Sequence, residues 1–298
     1  MKILVSGSSG LVGTSLVSFL DAKGHEVTRL LRTEKKSHLP QVIWDPYSAD
    51  ADISKFEGFD AVINVAGENI ASGRWTKTKK HKIRQSRVQL TENLVEVLKK
   101  TKNPPKIFLN ASAIGYYGDT GDVPATEESP AGTGFLAEVC RDWEKAALGG
   151  EAIGMRVVTP RIGMVLSSKG GALHKMLTPF RLGLGGVLGS GEQFMSWITL
   201  KDLIHLFVFC LENEEIQGAV NATAPNPVTN REFTKTLGHV LNRPTVIPMP
   251  KFLLQTLFGE MAQELLLVNT RVIPHRLVHS AFHFEHPKID IALKEILK

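Results

Sequence analysis

The stretch KILVSGSSGLVG, residues 2–13, constrains this chain more than any other. A short apolar run of strand type ends in Gly7, and helical spacing follows at once, with Leu16, Val17, Phe19 and Leu20 recurring on one side. Between the two lie Gly7, Gly10 and Gly13. Gly7 permits the tight turn, Gly10 lets the backbone approach a pyrophosphate, and Gly13 lets the helix pack closely on the sheet. The backbone N–H groups of the loop, through Ser9, Leu11 and Val12, then face an anion at the helix start, where the macrodipole adds ~0.3–1 kcal/mol. A glycine triplet alone is weak. One that follows a strand, opens a helix and heads an alternating chain reads as a dinucleotide-binding turn.

The alternation continues. Strand-like runs occupy 25–32, 59–67, 106–113 and 155–166, and helical spacing covers 14–24, 86–100 and FLAEVCRDWEKAA from residue 135. Such a pattern predicts an α/β fold whose parallel sheet is covered on both faces, with right-handed crossovers. After residue 166 the rhythm changes to a glycine-rich stretch over 170–194, of the kind that closes over a ligand. Helices are expected over 201–212 and 231–243. The tail from 250 should hold two or three more, with a short strand near 281–286. We expect a dinucleotide-binding domain over 1–225, with a substrate-rim loop at 166–196, and a small, mainly helical domain over 245–298.

Composition narrows the class. With 43% hydrophobic and 22% charged residues the chain is an ordinary globular protein. Its two cysteines, Cys140 and Cys210, form no metal or redox motif and suit a reducing compartment. No apolar h-region with a cleavage site stands before the first strand, so no signal peptide is expected, and the longest apolar stretch, LFVFCL at 206–211, is far too short to span a bilayer. The expected location is cytoplasmic, with no membrane partner. The net charge of +5 is concentrated in RWTKTKKHKIRQSR, residues 74–87, which carries no acid. It lacks interleaved aromatics apart from Trp75, so a nucleic-acid surface is the weaker reading. A solvated loop and helix start, with an arginine turned to a bound phosphate, is the stronger one.

Cofactor choice is set at the end of the second strand. An acid there would hold a ribose 2′-OH; this chain has Leu31 and Arg32, then Lys35 and Lys36. A guanidinium suits a 2′-phosphate, so NADP(H) is expected over NAD(H).

With SGSSGLVG and NVAG (64–67) in place, the chain resembles the short-chain dehydrogenase/reductase superfamily, in particular its extended, epimerase-like branch. NVAGENI, SRVQLT (86–91), ASAIGYYGD (111–119), PFRLGLGGVLGSG (179–191) and NATAPNPVTN (221–230) are similar to an atypical subgroup, the sugar-nucleotide-epimerase-like "epimerase family" proteins. The resemblance implies a Rossmann-like doubly wound domain and a small C-terminal substrate-side domain. It also implies that Val65, Ala66 and Gly67 pass against the adenosine side of the cofactor. Arg87 would stand where the branch often has Asn, within reach of the pyrophosphate.

The wider superfamily uses Ser, Tyr and Lys, with Tyr-x-x-x-Lys on a helix. This chain has no such dyad near FLAEVCRDWE. Counted without gaps from YGD and the ESP block, the tyrosine position falls on Glu138 and the lysine position on Asp142; a small shift puts Phe135 and Val139 there instead, and Ser112 lies at or one residue before the serine position. The candidate acid/base groups are therefore Glu138, Tyr116 and Tyr117, assisted by Ser112. A partly desolvated carboxyl beside a nicotinamide has its pKa raised toward that role. The alternative for Glu138 is a solvent-facing helix surface.

Two other constellations carry less. His275, His279 and His283 are spaced by four, but no carboxylate partner completes a metal site, and surface histidines are the default. Residues 247–268 suit a dimer or membrane-surface helix, or one that packs over the substrate mouth, which is the expectation. Lys175 and Arg181 lie near the rim as possible anion binders. The expected protein is an NADP(H)-dependent oxidoreductase or epimerase on a small polar or sugar-nucleotide-like substrate, monomeric or homodimeric. The alternative is a catalytically reduced NADP-binding sensor.

Overall fold

The computed structural model describes residues 1–48 and 50–298. The strands are β1 (Lys2–Ser6), β2 (Glu26–Leu31), β3 (Gln41–Ile43), β4 (Ala61–Asn64), β5 (Ile107–Asn110), β6 (Ser112–Ala113), β7 (Arg156–Ile162), β8 (Met164–Leu166), β9 (Phe194–Met195), β10 (Trp197–Thr199), β11 (Gly218–Ala222) and β12 (Val228–Thr229). The helices are α1 (Leu11–Ala22), α2 (Lys77–Gln85), α3 (Val88–Lys99), α4 (Phe135–Leu148), α5 (Gly171–Arg181), α6 (Leu200–Glu212), α7 (Asn230–Leu241), α8 (Lys251–Phe258), α9 (His275–His279) and α10 (Ile289–Leu297).

The main sheet is parallel and runs β11-β7-β5-β4-β1-β2-β3, with β6 also on β7. Strand order reverses between β1 and β4, so the crevice for a ligand opens above Ser6 and Asn64, which pair in register. Alternation along each strand feeds two cores. Ile3, Val5 and Ile63 face α1 and α6, where they meet Leu16, Leu20, Leu206 and Phe207. Leu4, Val62 and Phe108 face the other way, onto Leu94, Leu98 and Ala147 of α3 and α4. This is the doubly wound, Rossmann-like architecture that strand–helix alternation predicts.

A third core lies beyond the sheet, where Leu173, Leu177, Trp197, Phe233, Leu237, Ile289 and Leu293 pack together. It joins α5, α7 and α10, so the last helix of the chain is built into the rim side. Asp202, fully buried, anchors the tail: it accepts from Thr199 Oγ1 (3.0 Å) and from the backbone N–H groups of Glu285 (2.9 Å) and His286 (3.1 Å).

Three local expectations are corrected. The run 155–166 is two strands, because Gly163 turns the chain away from the main sheet and β8 pairs with β10 instead. The basic segment contains a separate helix, α2, capped by the Thr76 hydroxyl. Residues 281–286 are irregular rather than a strand: the Phe282 N–H turns back to the Leu277 carbonyl, and those of Glu285 and His286 go to Asp202.

Candidate functional site

The glycine turn is built as its spacing demands. Gly7 adopts φ +73°, and a Cβ there would fall 2.5 Å from the backbone of Val65 and Ala66. A Cβ on Gly13 would fall 2.2 Å from the Gly7 carbonyl oxygen. Gly10 meets only that same oxygen, at 3.5 Å, so its outer side is open. Its N–H donates to the Gly7 carbonyl (3.0 Å), which closes the turn. Ser9 and Gly10 form the exposed lip, with Leu11 and Val12 half-buried behind them.

At the end of β2, Leu31 is buried and Arg32 is exposed. Tyr47 lies nearby: burial raises its phenol pKa, and the Arg32 charge opposes that rise. Arg29 was missed by sequence reasoning. On β2 opposite Val5, it donates from Nε to Ser8 Oγ (3.3 Å) and from Nη2 to the Ser8 carbonyl (3.4 Å). A half-buried guanidinium thus sits behind the glycine turn. Its only signal in the sequence is a charge within the apolar run EVTRLL.

The NVAG loop is fixed from below. Asn64 Nδ2 donates to Asn110 Oδ1 (2.7 Å) and Thr91 Oγ1 (3.0 Å), and its Oδ1 accepts from Ala66 N–H (3.3 Å). Arg87 lies directly against Gly67, where a Cβ would come 3.0 Å from Nη2. It donates to the carbonyls of Glu68 (3.1 Å) and Ile83 (3.3 Å) and stands over the Trp143 ring. Burial pushes its pKa down. The structure therefore brings Val65, Ala66, Gly67 and Arg87 together beside the glycine turn.

The acid/base candidates are divided. Glu138 is exposed. Cys140, two residues on and so on nearly the opposite face of α4, is buried. The face of α4 turned to the cleft carries Leu136 and Cys140, which a Cβ on Gly115 would meet at 3.2 and 3.8 Å. Burial pushes the Cys140 thiol up to about 12, which leaves it inert. Asp142 pairs with Arg84 on the outer side.

Ser112 finds a different carboxylate. Its Oγ donates to Glu144 Oε1 (2.6 Å). Arg161 grips Glu144 in a fork, Nε to Oε1 and Nη2 to Oε2, both 2.8 Å. Arg161 Nη1 donates to the Tyr117 hydroxyl (2.8 Å), which donates to Asn221 Oδ1 (2.6 Å). The same guanidinium stacks 3.5 Å from the Tyr116 ring centre. Burial pulls the Arg161 pKa down, but the bonds and charge of Glu144 outweigh it and the net shift is upward. Burial raises the Tyr117 phenol to about 12. Tyr116 is half-buried, and among the described residues its hydroxyl has no protein partner. Glu144 and Arg161 were legible only as charges on an apolar helix face and in an apolar strand.

The basic segment is largely committed within the fold. Lys79 meets Glu68 and Ser72 (2.6 Å each), Lys80 meets Glu260 (2.7 Å), and Arg84 meets Asp142. Glu264, from a π-helical turn (Ala262–Leu266), accepts from the first N–H groups of α4, Phe135 and Leu136, at 3.0 Å each. Among the described residues, no three His, Cys, Asp or Glu side chains are placed to hold a metal ion.

The chain is similar to known proteins over nearly its whole length. A Mycobacterium tuberculosis "epimerase family protein" is 42% identical over 291 residues, 98% of this chain and 96% of that protein. The crystal structure of human epimerase family protein SDR39U1 with NADPH superposes with a TM-score of 0.91 at 37% identity, covering 99% of both chains. A nucleoside-diphosphate sugar epimerase from Corynebacterium glutamicum superposes at 0.82 with 34% identity, over 99% of this chain and 58% of that one. Residues 249–296 match a domain of unknown function, DUF1731. Residues 3–222 match the NAD dependent epimerase/dehydratase family, and the chain belongs to that family.

Proposed function

We propose that the protein is an NADP(H)-dependent oxidoreductase or epimerase acting on a small polar or sugar-nucleotide-like substrate in the cytoplasm. The observation that carries this reading is the likeness, over 99% of both chains, to a human protein crystallised with NADPH. The residues fit the cofactor. Gly10 leaves its outer side open, and the N–H groups of Ser9, Leu11 and Val12 serve the pyrophosphate with Arg87 beside them. Arg32, exposed at the end of β2, takes the 2′-phosphate, and Val65, Ala66 and Gly67 line the adenosine side. Residues 1–225 hold the cofactor, and 245–298 cover the substrate side. The nicotinamide supplies hydride transfer.

Proton transfer falls to Tyr116. Arg161 holds its ring, and its hydroxyl is uncommitted within the described structure, whereas Tyr117 is spent on Asn221. Ser112, fixed by Glu144, shapes the floor. Glu138 faces away and takes no part in this scheme. The test is a screen of carbonyl and sugar-nucleotide compounds with NADPH. Tyr116→Phe should lose about 10²–10⁴-fold in turnover. Glu138→Gln should stay within about twofold. A reversed result would return the role to Glu138. Arg32→Glu should weaken NADPH at least about tenfold in calorimetry; unchanged affinity refutes the cofactor assignment.

A second reading, an NADP-binding sensor, is favoured by Leu136 and Cys140 on the cleft face of α4, where neither can act as acid or base. Tight NADPH binding without turnover of any compound would select it.

A further inference from the structure

Six of the large apolar side chains exposed among the described residues gather in one corner. Leu182, Leu184, Val246, Ile247, Phe252 and Leu257 are all exposed, Val246 to 76% and Phe252 to 68%. They form one surface because the chain at 182–189 runs beside 244–250. Arg243 Nε donates to the Arg181 carbonyl (2.8 Å), Met249 N–H to Val187 (2.9 Å), and Gly189 N–H to Met249 (2.9 Å). Helix α8 follows directly and buries only Leu254 of its apolar residues. Phe258, at its end, packs with Met261 against Trp75, Phe135 and Leu136, while Phe252 and Leu257 stay exposed.

The charge of this corner is one-sided. The segments that form it, 181–191 and 243–259, contain no Asp or Glu, yet carry Arg181, Arg243 and Lys251. Among the described residues none of these three forms an ion pair.

We propose that this corner docks on an anionic bilayer surface, with Phe252, Leu257, Leu184 and Val246 entering the headgroup–acyl boundary and Arg181, Arg243 and Lys251 meeting lipid phosphates and carboxylates. Apolar side chains bordered by cations, with acids excluded, fit such a surface. A second copy of the chain fits poorly, since a two-fold contact would set these cations against their own images. A protein hot spot would be built on Trp and Tyr, which both segments lack. The contact is peripheral, because no helix of the described residues is long and apolar enough to cross a membrane. It revises the expectation of no membrane partner without touching the cofactor assignment. Residues 182–189 continue into the rim, so docking would turn the substrate side toward the lipid.

Co-sedimentation tests it, with vesicles of phosphatidylcholine alone and of phosphatidylcholine with phosphatidylserine. The protein should bind the serine-lipid vesicles more strongly, and added salt should release it. Lys251→Gln should weaken binding about fivefold, and Phe252→Glu at least about tenfold. Circular dichroism melts check that each variant is folded; if one is not, the salt titration of the unaltered protein decides. Equal or absent binding to the two vesicle types overturns the proposal, and so does unchanged binding by folded variants. A dimer in sedimentation velocity that Phe252→Glu dissolves, without vesicle binding, overturns it in favour of a second copy.

Discussion

At the scale of residues, the most consequential group is one that spacing arguments pass over. Glu138 and Asp142 stand out in FLAEVCRDWE because they are four apart, yet both lie on the outer side of α4. Glu144 is the buried carboxylate, and it is tied to Ser112 and Arg161. Removing one charge of such a pair leaves the other buried and uncompensated. Glu144→Gln should therefore cost roughly 3–5 kcal/mol in urea unfolding. Replacing Glu144 and Arg161 together by Leu and Met should cost less than the sum of the two single changes. Three buried acids also set an alkaline limit. Burial raises Tyr117, Cys140 and Cys210 to about 12 each. Their unfolded forms ionise first, at about pH 8.5–10, so the unfolded state then holds fewer protons than the native one. The stability these groups contribute is complete below that range and is lost as pH rises toward about 12. Melting temperatures that stay flat from about pH 8 to about pH 11 would contradict this.

At the scale of elements, periodicity located α1, α4 and α7, because a helix buries a stripe and the stripe shows in any window. It did not show what holds the ends. The first turn of α4 is capped by Glu264, more than a hundred residues away. Gly134, at φ +101°, makes room for it, since a Cβ there would fall 2.6 Å from Glu264 Oε1. Glu264→Ala should cost about 1–2 kcal/mol, and amide exchange should quicken at Phe135 and Leu136 before it does elsewhere in the helix. Gly134→Ala should reproduce the effect with the carboxylate intact. The strand expected at 281–286 failed for a related reason. Alternating side chains form a ladder only if a neighbouring strand offers its backbone, and here the N–H groups of Glu285 and His286 go to Asp202 and that of Phe282 to the Leu277 carbonyl.

At the scale of the whole molecule, the third core ties the tail to the rim. Ile289 and Leu293 of α10 are buried against α5 and α7. Deleting residues 288–298 would expose both side chains and their partners, at roughly 1.5–3 kcal/mol for each large apolar group. The shortened protein should melt earlier and bind a hydrophobic dye, while β1, α1 and the glycine turn remain. The glycine turn, the strand–helix alternation and the basic end of β2 were legible in the sequence because each depends on neighbours along the chain. A turn needs its own glycines, a strand its own alternation, and the β2 end its own arginine. Which carboxylate meets Ser112, why Arg161 is charged inside the fold, what caps α4 and which apolar residues stay exposed were decided only by tertiary structure. Those contacts join residues tens to more than a hundred positions apart, and no local period records which distant group supplies the missing hydrogen bond or covers the apolar face.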